Sequence, residues 1–279
     1  MSSPKLTADP GSRDETEIEE AFDLLLDEGR TRLDRPLLPL LSTGFLGGID
    51  VGVGVLTYLV IRHETGNSLL AALGFTIGFI ALLLARSELF TENFLVPVMA
   101  VAARQGTVLQ LLRLWLLTLL LNLAGGFVLA GMVMVAMPEL DGTAIEAGSH
   151  YAHLGVSWQS FFLAVLAGLV ITLLTRMQHG TDAMGVKIVP AVVMSFVLVA
   201  GQLFHSVLDS ILMFAGLLTG HADYGFGNWL VALGWSVFGN LVGGLVLVTA
   251  LRLLRVQHRL QEERHSDDAR PGAAESGGR

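Results

Sequence analysis

The sequence predicts an all-α membrane protein: six transmembrane helices arranged as two inverted three-helix repeats, with helices two and five broken. Three observations carry this. Only 15% of the 279 residues are charged and 52% are apolar, against roughly 25% charged in ordinary globular domains. The apolar residues gather into six runs, most of them near or above the roughly 20 residues that span a bilayer core. Finally, a polar motif and an Asn–Gly-Gly motif recur in the same order in both halves of the chain.

The tails come first. Of the 42 charged residues, 25 lie in 1–36 and 254–279, so the net charge of −8 reflects the tails rather than any solute. Nothing in this charge pattern points to nucleic acid. The absence of Cys excludes disulfides and thiolate metal sites, and no cofactor or metal is expected. Residues 1–36 lack the apolar core of a signal peptide and read as a cytoplasmic tail. Within them Ile18, Phe22 and Leu25 or Leu26 recur at helical spacing among acids. This predicts an amphipathic helix lying on the membrane surface, against a neighbouring subunit, or in solvent. From 256 to 279 the composition predicts a disordered cytoplasmic tail.

The apolar runs fall near 38–61, 68–86, 107–136, 158–175, 188–218 and 226–253, within a six-span channel domain over 37–255. Basic residues set its orientation. Arg30, Arg32 and Arg35 precede span one, and Arg104 and Arg113 flank the connection from span two to span three. Arg176 and Lys187 bracket the fourth-to-fifth connection, and Arg252, Arg255 and Arg259 follow span six. The opposite side carries Arg62, and 137–157 and 219–225 hold no Lys or Arg. Both termini are therefore expected in the cytoplasm of a cell (plasma or inner) membrane.

The duplication locates a site. Span two leads into Ser87-Glu88-Leu89-Phe90-Thr91, and span five contains Gly201-Gln202-Leu203-Phe204-His205. Asn122-Leu123-Ala124-Gly125-Gly126 follows the first motif and Asn240-Leu241-Val242-Gly243-Gly244 the second. Three spans per repeat, about 37–136 and 158–253, place the halves in opposite orientations, as in many transporters with broken helices at the midplane. Arg86, Ser87, Glu88, Thr91, Glu92 and Asn93 interrupt span two, and Gly201, Gln202, His205, Ser206 and Asp209 interrupt span five. Polar groups persist at such depth only when buried in protein or lining a wet cavity. The two Asn residues read either as helix-to-helix bridges or as solute ligands.

These residues resemble the formate/nitrite transporter family. Its Glu/Asp-Leu-Phe-Thr loop stands here as Glu88 to Thr91, its His-Ser pair as His205-Ser206, and its Gly-Asn-x-x-Gly-Gly as Gly239 to Gly244. Lys187 also stands at the expected spacing before His205. The resemblance covers roughly 15–255. It implies an aquaporin-like arrangement, homopentamers with one pore per protomer, and passage of small monovalent weak-acid anions. It further implies that His205 and Thr91 line the pore, with Asn240 and Asn122 in support. Constrictions would be formed by Phe75 and Leu198 on the outer side and by Phe79, Leu89 and Phe90 on the inner side. The chain departs from the family at Phe204, where Glu is common, at Asp209, where Asn is expected, and at Arg86 and Asp50. The family's vestibule Lys is missing from 156–160. These departures mark a diverged branch and make Asp209, Glu88, Arg86, Asp50 and Phe204 candidate modulators.

Stripping water from a carboxylate or nitrite without compensation is prohibitive. Fixed positive charge, or protonation of the anion, removes the obstacle. His205 suits the second course because imidazole titrates near neutrality. Arg86 is the nearest fixed charge, with Glu88 and Glu92 beside it to offset it. Passage of a neutral small solute is the alternative reading. A haem subunit would need paired deep histidines, and an enzyme would need converging catalytic groups; the sequence supplies neither.

Overall fold

The computed structural model describes residues 10–255 and Gln261, with side chains described for 22–254 and Gln261. The predicted disorder of 256–279 and the side chain of Ile18 lie outside what is described. Helix α1 (Pro10–Leu33) is followed by α2 (Leu37–Thr65) and α3 (Ser68–Ala85). A 3-10 turn (Phe90–Phe94) leads into α4 (Val96–Ala102) and α5 (Val108–Ala136). Short α6 (Asp141–Ala152) precedes α7 (Trp158–Gln178), α8 (Met184–Ala200) and α9 (Ser206–Leu218). The last helix, α10 (Phe226–Leu241), runs through a π-wound stretch (Val242–Ala250) into α11 (Leu251–Arg255).

Local chemistry sets these boundaries. Gly66, at φ 64, ends α2 in the left-handed conformation that glycine adopts without strain. The Asn67 side chain then accepts from the N–H groups of Leu69 and Leu70, each at 3.0 Å, and starts α3. Reciprocal side-chain caps start α5 at Thr107 with Gln110, and α7 at Ser157 with Ser160.

Five helical stretches are long and apolar enough to cross a membrane: α2, α3, α5, α7 and Phe226–Leu254. The remaining run, 188–218, is divided into α8 and α9. Both expected interruptions are present, after Ala85 and after Ala200.

The apolar stripe of helix α1 is covered within the chain. Phe22, Leu25 and Leu26 are buried against Leu95, Val96, Met99 and Ala103. Gly29 lets the two backbones touch, since a β-carbon there would strike the Val96 carbonyl. The expected apolar stripe is real, and its partner is α4 of the same chain. Two glycines do similar work deeper in the molecule. Gly48 abuts the backbone of Asn122, and Gly168 abuts the backbone of Asn240, so α2–α5 and α7–α10 approach at matching points.

Candidate functional site

Each break frees backbone groups that no water can satisfy at membrane depth, where an unmet group costs several kcal/mol. At the first break the Asn122 carboxamide supplies the missing partners. Its Nδ2 donates to the Glu88 carbonyl at 2.8 Å and to the Gly44 carbonyl at 2.7 Å, while its Oδ1 accepts from Phe90 N–H at 2.8 Å. At the second break Asn240 repeats the pattern. Its Nδ2 donates to the carbonyls of Phe204 and Ala164, each at 2.9 Å, and its Oδ1 accepts from Ser206 N–H at 3.0 Å. Both carboxamides, as placed by this network, are engaged at both ends and fully buried.

The backbone continues the match. Ser87 N–H donates to the Leu82 carbonyl and Leu203 N–H to that of Leu198. Glu88 N–H reaches Thr43 on α2, as Phe204 N–H reaches Leu163 on α7. Arg86 at φ 54 and Gln202 at φ 47 are the left-handed residues of the two breaks. The structure therefore sets Glu88 against Phe204 and Leu89 against His205. The sequence motifs, which set Glu88 against Gln202 and Thr91 against His205, are two residues out of this register.

Thr91 and His205 nonetheless meet. Thr91 Oγ1 lies 2.9 Å from His205 Nε2, and both residues are wholly buried. His205 is also the N-cap of α9: its Nδ1 accepts from Leu208 N–H at 3.2 Å. A nitrogen that accepts an N–H carries no proton of its own, so the proton sits on Nε2 and is donated to Thr91. The Thr91 hydroxyl keeps its own proton for a further acceptor. Asp209 does not face the imidazole. Its Oδ2 accepts from the His205 backbone N–H at 2.6 Å, and the Tyr151 phenol lies beside the same carboxylate.

The expected constriction residues are all buried in one apolar cluster. Phe75 and Phe79 are 5.9 Å apart between ring centres, Phe90 packs edge-on against Phe94, and Leu89 and Leu198 are sealed. Phe204 stacks on Tyr151 at 6.1 Å. Asp50 is half-buried on α2, beside Ser87.

Two cavities flank this cluster. On the α1 side a cavity of about 350 Å³ is lined by Arg32, Arg35, Arg86, Glu88, Glu92 and Lys187, among others. Arg86 shares this cavity with Glu88 and Glu92, the two acids expected beside it. Glu88 is paired with Arg35 at 2.7 Å, and among the described residues Arg86 is in none of the ion pairs. Arg32 bonds Asn93 at 3.0 Å and pairs with Glu28, which also bonds His179 at 2.8 Å. Burial opposes the Arg32 charge, but Glu28, Glu88 and Glu92 together raise its pKa. On the α6 side a cavity of about 340 Å³ is lined by Tyr58, Arg62, Glu146, His150, Tyr151 and Gln202, among others.

The sequence reading left Tyr58, Tyr151, Glu146 and the ionic role of Arg35 out of the site. Aromatic residues at span ends and a basic residue before a span have common structural uses, so no local signal distinguished these.

Comparison with known proteins agrees with this fold. The family model described as Formate/nitrite transporter matches residues 19–254. "Inner membrane protein YfdC" of Escherichia coli is 25% identical over 252 residues, covering 86% of this chain and 79% of that protein. "Formate channel BtFdhC" of Bacillus thuringiensis is 26% identical over 217 residues, covering 72% and 83% respectively. A solved structure titled "Pentameric formate channel with formate bound" superposes with a TM-score of 0.66 at 22% identity, covering 79% of this chain and 97% of that one.

Proposed function

The chain belongs to the formate/nitrite transporter family, and we propose that it conducts small monovalent weak-acid anions, of the formate or nitrite class, past the Thr91–His205 pair. The observation that carries this is the 2.9 Å contact between Thr91 Oγ1 and His205 Nε2, buried between two polar cavities. The path then runs from one cavity to the other through each protomer. Phe75 and Leu198 narrow it on the α6 side, and Phe79, Leu89 and Phe90 on the α1 side. The matched bonds of Asn122 and Asn240 support two inverted three-helix repeats, with α8 and α9 together making the fifth of six spans. They also favour the bridging role for both Asn residues over solute binding. Basic residues near the α1 side support cytoplasmic termini, and the pentameric relative supports a homopentamer.

The central pair suits an anion that has lost water. Thr91 offers its hydroxyl proton to a carboxylate oxygen, and the imidazole N–H behind it strengthens that donor. Full proton transfer requires an imidazolium, because a neutral ring cannot give up its Nε2 proton near neutrality. A second proton enters at Nδ1 and displaces the Leu208 N–H bond. The Nε2 proton then passes to Thr91, whose own proton passes to the anion. The products are the neutral acid and a ring protonated at Nδ1.

The test is uptake of labelled formate, nitrite, acetate and glycerol into proteoliposomes, with and without a pH gradient. Saturable passage of the anions but not of glycerol is expected. Passage of glycerol alone would overturn the anion reading in favour of a neutral-solute channel.

A further inference from the structure

The cavity on the α6 side has a feature that the central pair does not explain. Arg62, near the end of α2, is the sole Lys or Arg among the described residues lining it. The sequence reinforces this: the loops 137–157 and 219–225 on the same side contain neither. The side chain is held at two points. One Nη donates to the Gly66 carbonyl, and Nη2 lies 3.0 Å from Oε1 of Glu146 on α6. Arg62 is one-quarter exposed and Glu146 more than two-thirds exposed. The guanidinium thus stays fixed over the cavity while its carboxylate partner is free to leave.

The rest of the cavity leads inward. Val199, Ala200 and Gln202 belong to the broken end of α8, three to six residues from His205, and Tyr151 reaches from the rim to Asp209 and Phe204. Gln202 is a non-glycine residue in the left-handed region, a conformation costing about 1 kcal/mol, and its exposed side chain lines the cavity. Anything docked at Arg62 therefore stands at the entrance to the central pair. A carboxylate or nitrite presents the same acceptor oxygens that Glu146 offers, and guanidinium binds such planar oxygens in a forked geometry.

We propose that Arg62 is the anion-docking residue of the α6-side entrance, with Glu146 as an intrinsic competitor that the entering anion displaces. This rests on the reading of the protein as an anion channel and extends it to a site with its own residues. The Arg62–Glu146 pair is too exposed to contribute much stability as an ion pair. Its effect falls instead on the concentration at which the entrance fills.

The experiment measures formate flux against formate concentration in vesicles of known orientation, with entry from the α6 side and from the α1 side in separate arms. Glu146→Gln should lower the half-saturating concentration for α6-side entry by about twofold to fivefold, the scale of an exposed charge contact. Arg62→Gln should raise it by a similar factor, Arg62→Lys should recover part of the loss, and adding Glu146→Gln to Arg62→Gln should have no effect. Entry from the α1 side should keep its half-saturating concentration in every variant. Glu146→Gln leaves the Arg62–Gly66 contact in place, so it tests the proposal even if Arg62→Gln fails to fold. Unchanged half-saturation in Glu146→Gln, with wild-type formate flux intact, overturns the docking role alone. Equal changes for both directions of entry would also overturn it, since they would mark a general structural effect. Wild-type protein that passes glycerol but neither formate nor nitrite overturns the underlying function instead.

Discussion

The Arg35 guanidinium lies 2.7 Å from the Glu88 carboxylate, joining the segment before the first span to the lip of the first helix break. Glu88 is almost fully buried and Arg35 about one-fifth exposed. Removing one partner strands the other, and a stranded buried charge typically costs about 3–5 kcal/mol. Arg35→Met should therefore destabilise the folded protein by about 3 kcal/mol, the lower end reflecting the partial exposure of Arg35. Arg35→Met with Glu88→Gln should recover much of the loss. Thermal unfolding in detergent reads both, and equal midpoints for the single and double variants would show that the pair does not act as a unit.

The carboxamides of Asn122 and Asn240 make equivalent bonds, so their removal should have equivalent cost. Each Asn→Ala change leaves two carbonyls and an N–H without their partner, a loss of about 3 kcal/mol or more. Asn→Asp keeps the acceptor but loses the Nδ2 donor and adds a buried charge, and it should be no milder. Unfolding midpoints of the four variants, falling into two matched pairs, are the expected result.

His205→Asn and His205→Phe separate the two parts that the imidazole plays. Phe removes the donor to Thr91 and should reduce formate flux at least tenfold, about 1.4 kcal/mol in the barrier. Asn retains a donor but does not titrate, so it should pass formate with a weaker pH dependence than the wild type. Wild-type rate and profile in His205→Asn would leave His205 as a polar lining residue without proton chemistry.

Acid should loosen α1. Burial alone would raise the Glu28 pKa, but the His179 hydrogen bond and the Arg32 charge outweigh it and hold the carboxyl well below the usual range. A carboxyl depressed in the folded state contributes stability that is complete above its unfolded pKa, near 4.5. That contribution is lost as pH falls toward the folded value. Docking of α1, followed by protease accessibility near Leu33, should thus decline below about pH 4. Glu28→Gln should dock more weakly at pH 7 and lose this acid dependence.

The helices and their interruptions were legible in the sequence because apolar runs and the polar residues within them report directly on burial. The pairing of Thr91 with His205 was legible as proximity but not as symmetry. The eye aligns Leu89-Phe90 with Leu203-Phe204 because those side chains are alike. The fold aligns the places where an Asn side chain meets free backbone, and these carry no residue signature. Arg35 with Glu88, Glu28 with His179, and Arg62 with Glu146 join helices far apart in the chain. No local pattern announces such pairs. The apolar stripe of α1 was visible, but its partner α4 was not, since a stripe states that it will be covered and not by what.

The two Asn bridges reach their targets across unequal lengths of chain. Asn122 lies 34 residues from Glu88 and 78 from Gly44, whereas Asn240 lies 36 from Phe204 and 76 from Ala164. The difference between 34 and 36 lies in the turns, since 103–107 after α4 is two residues shorter than 219–225 after α9. An epitope or fluorescent reporter spliced between the exposed Gly220 and His221 falls in the longer turn, clear of the buried Tyr224. A single deletion between Leu111 and Asn122 instead swings the carboxamide about 100° around the helix axis, away from both carbonyls it must meet.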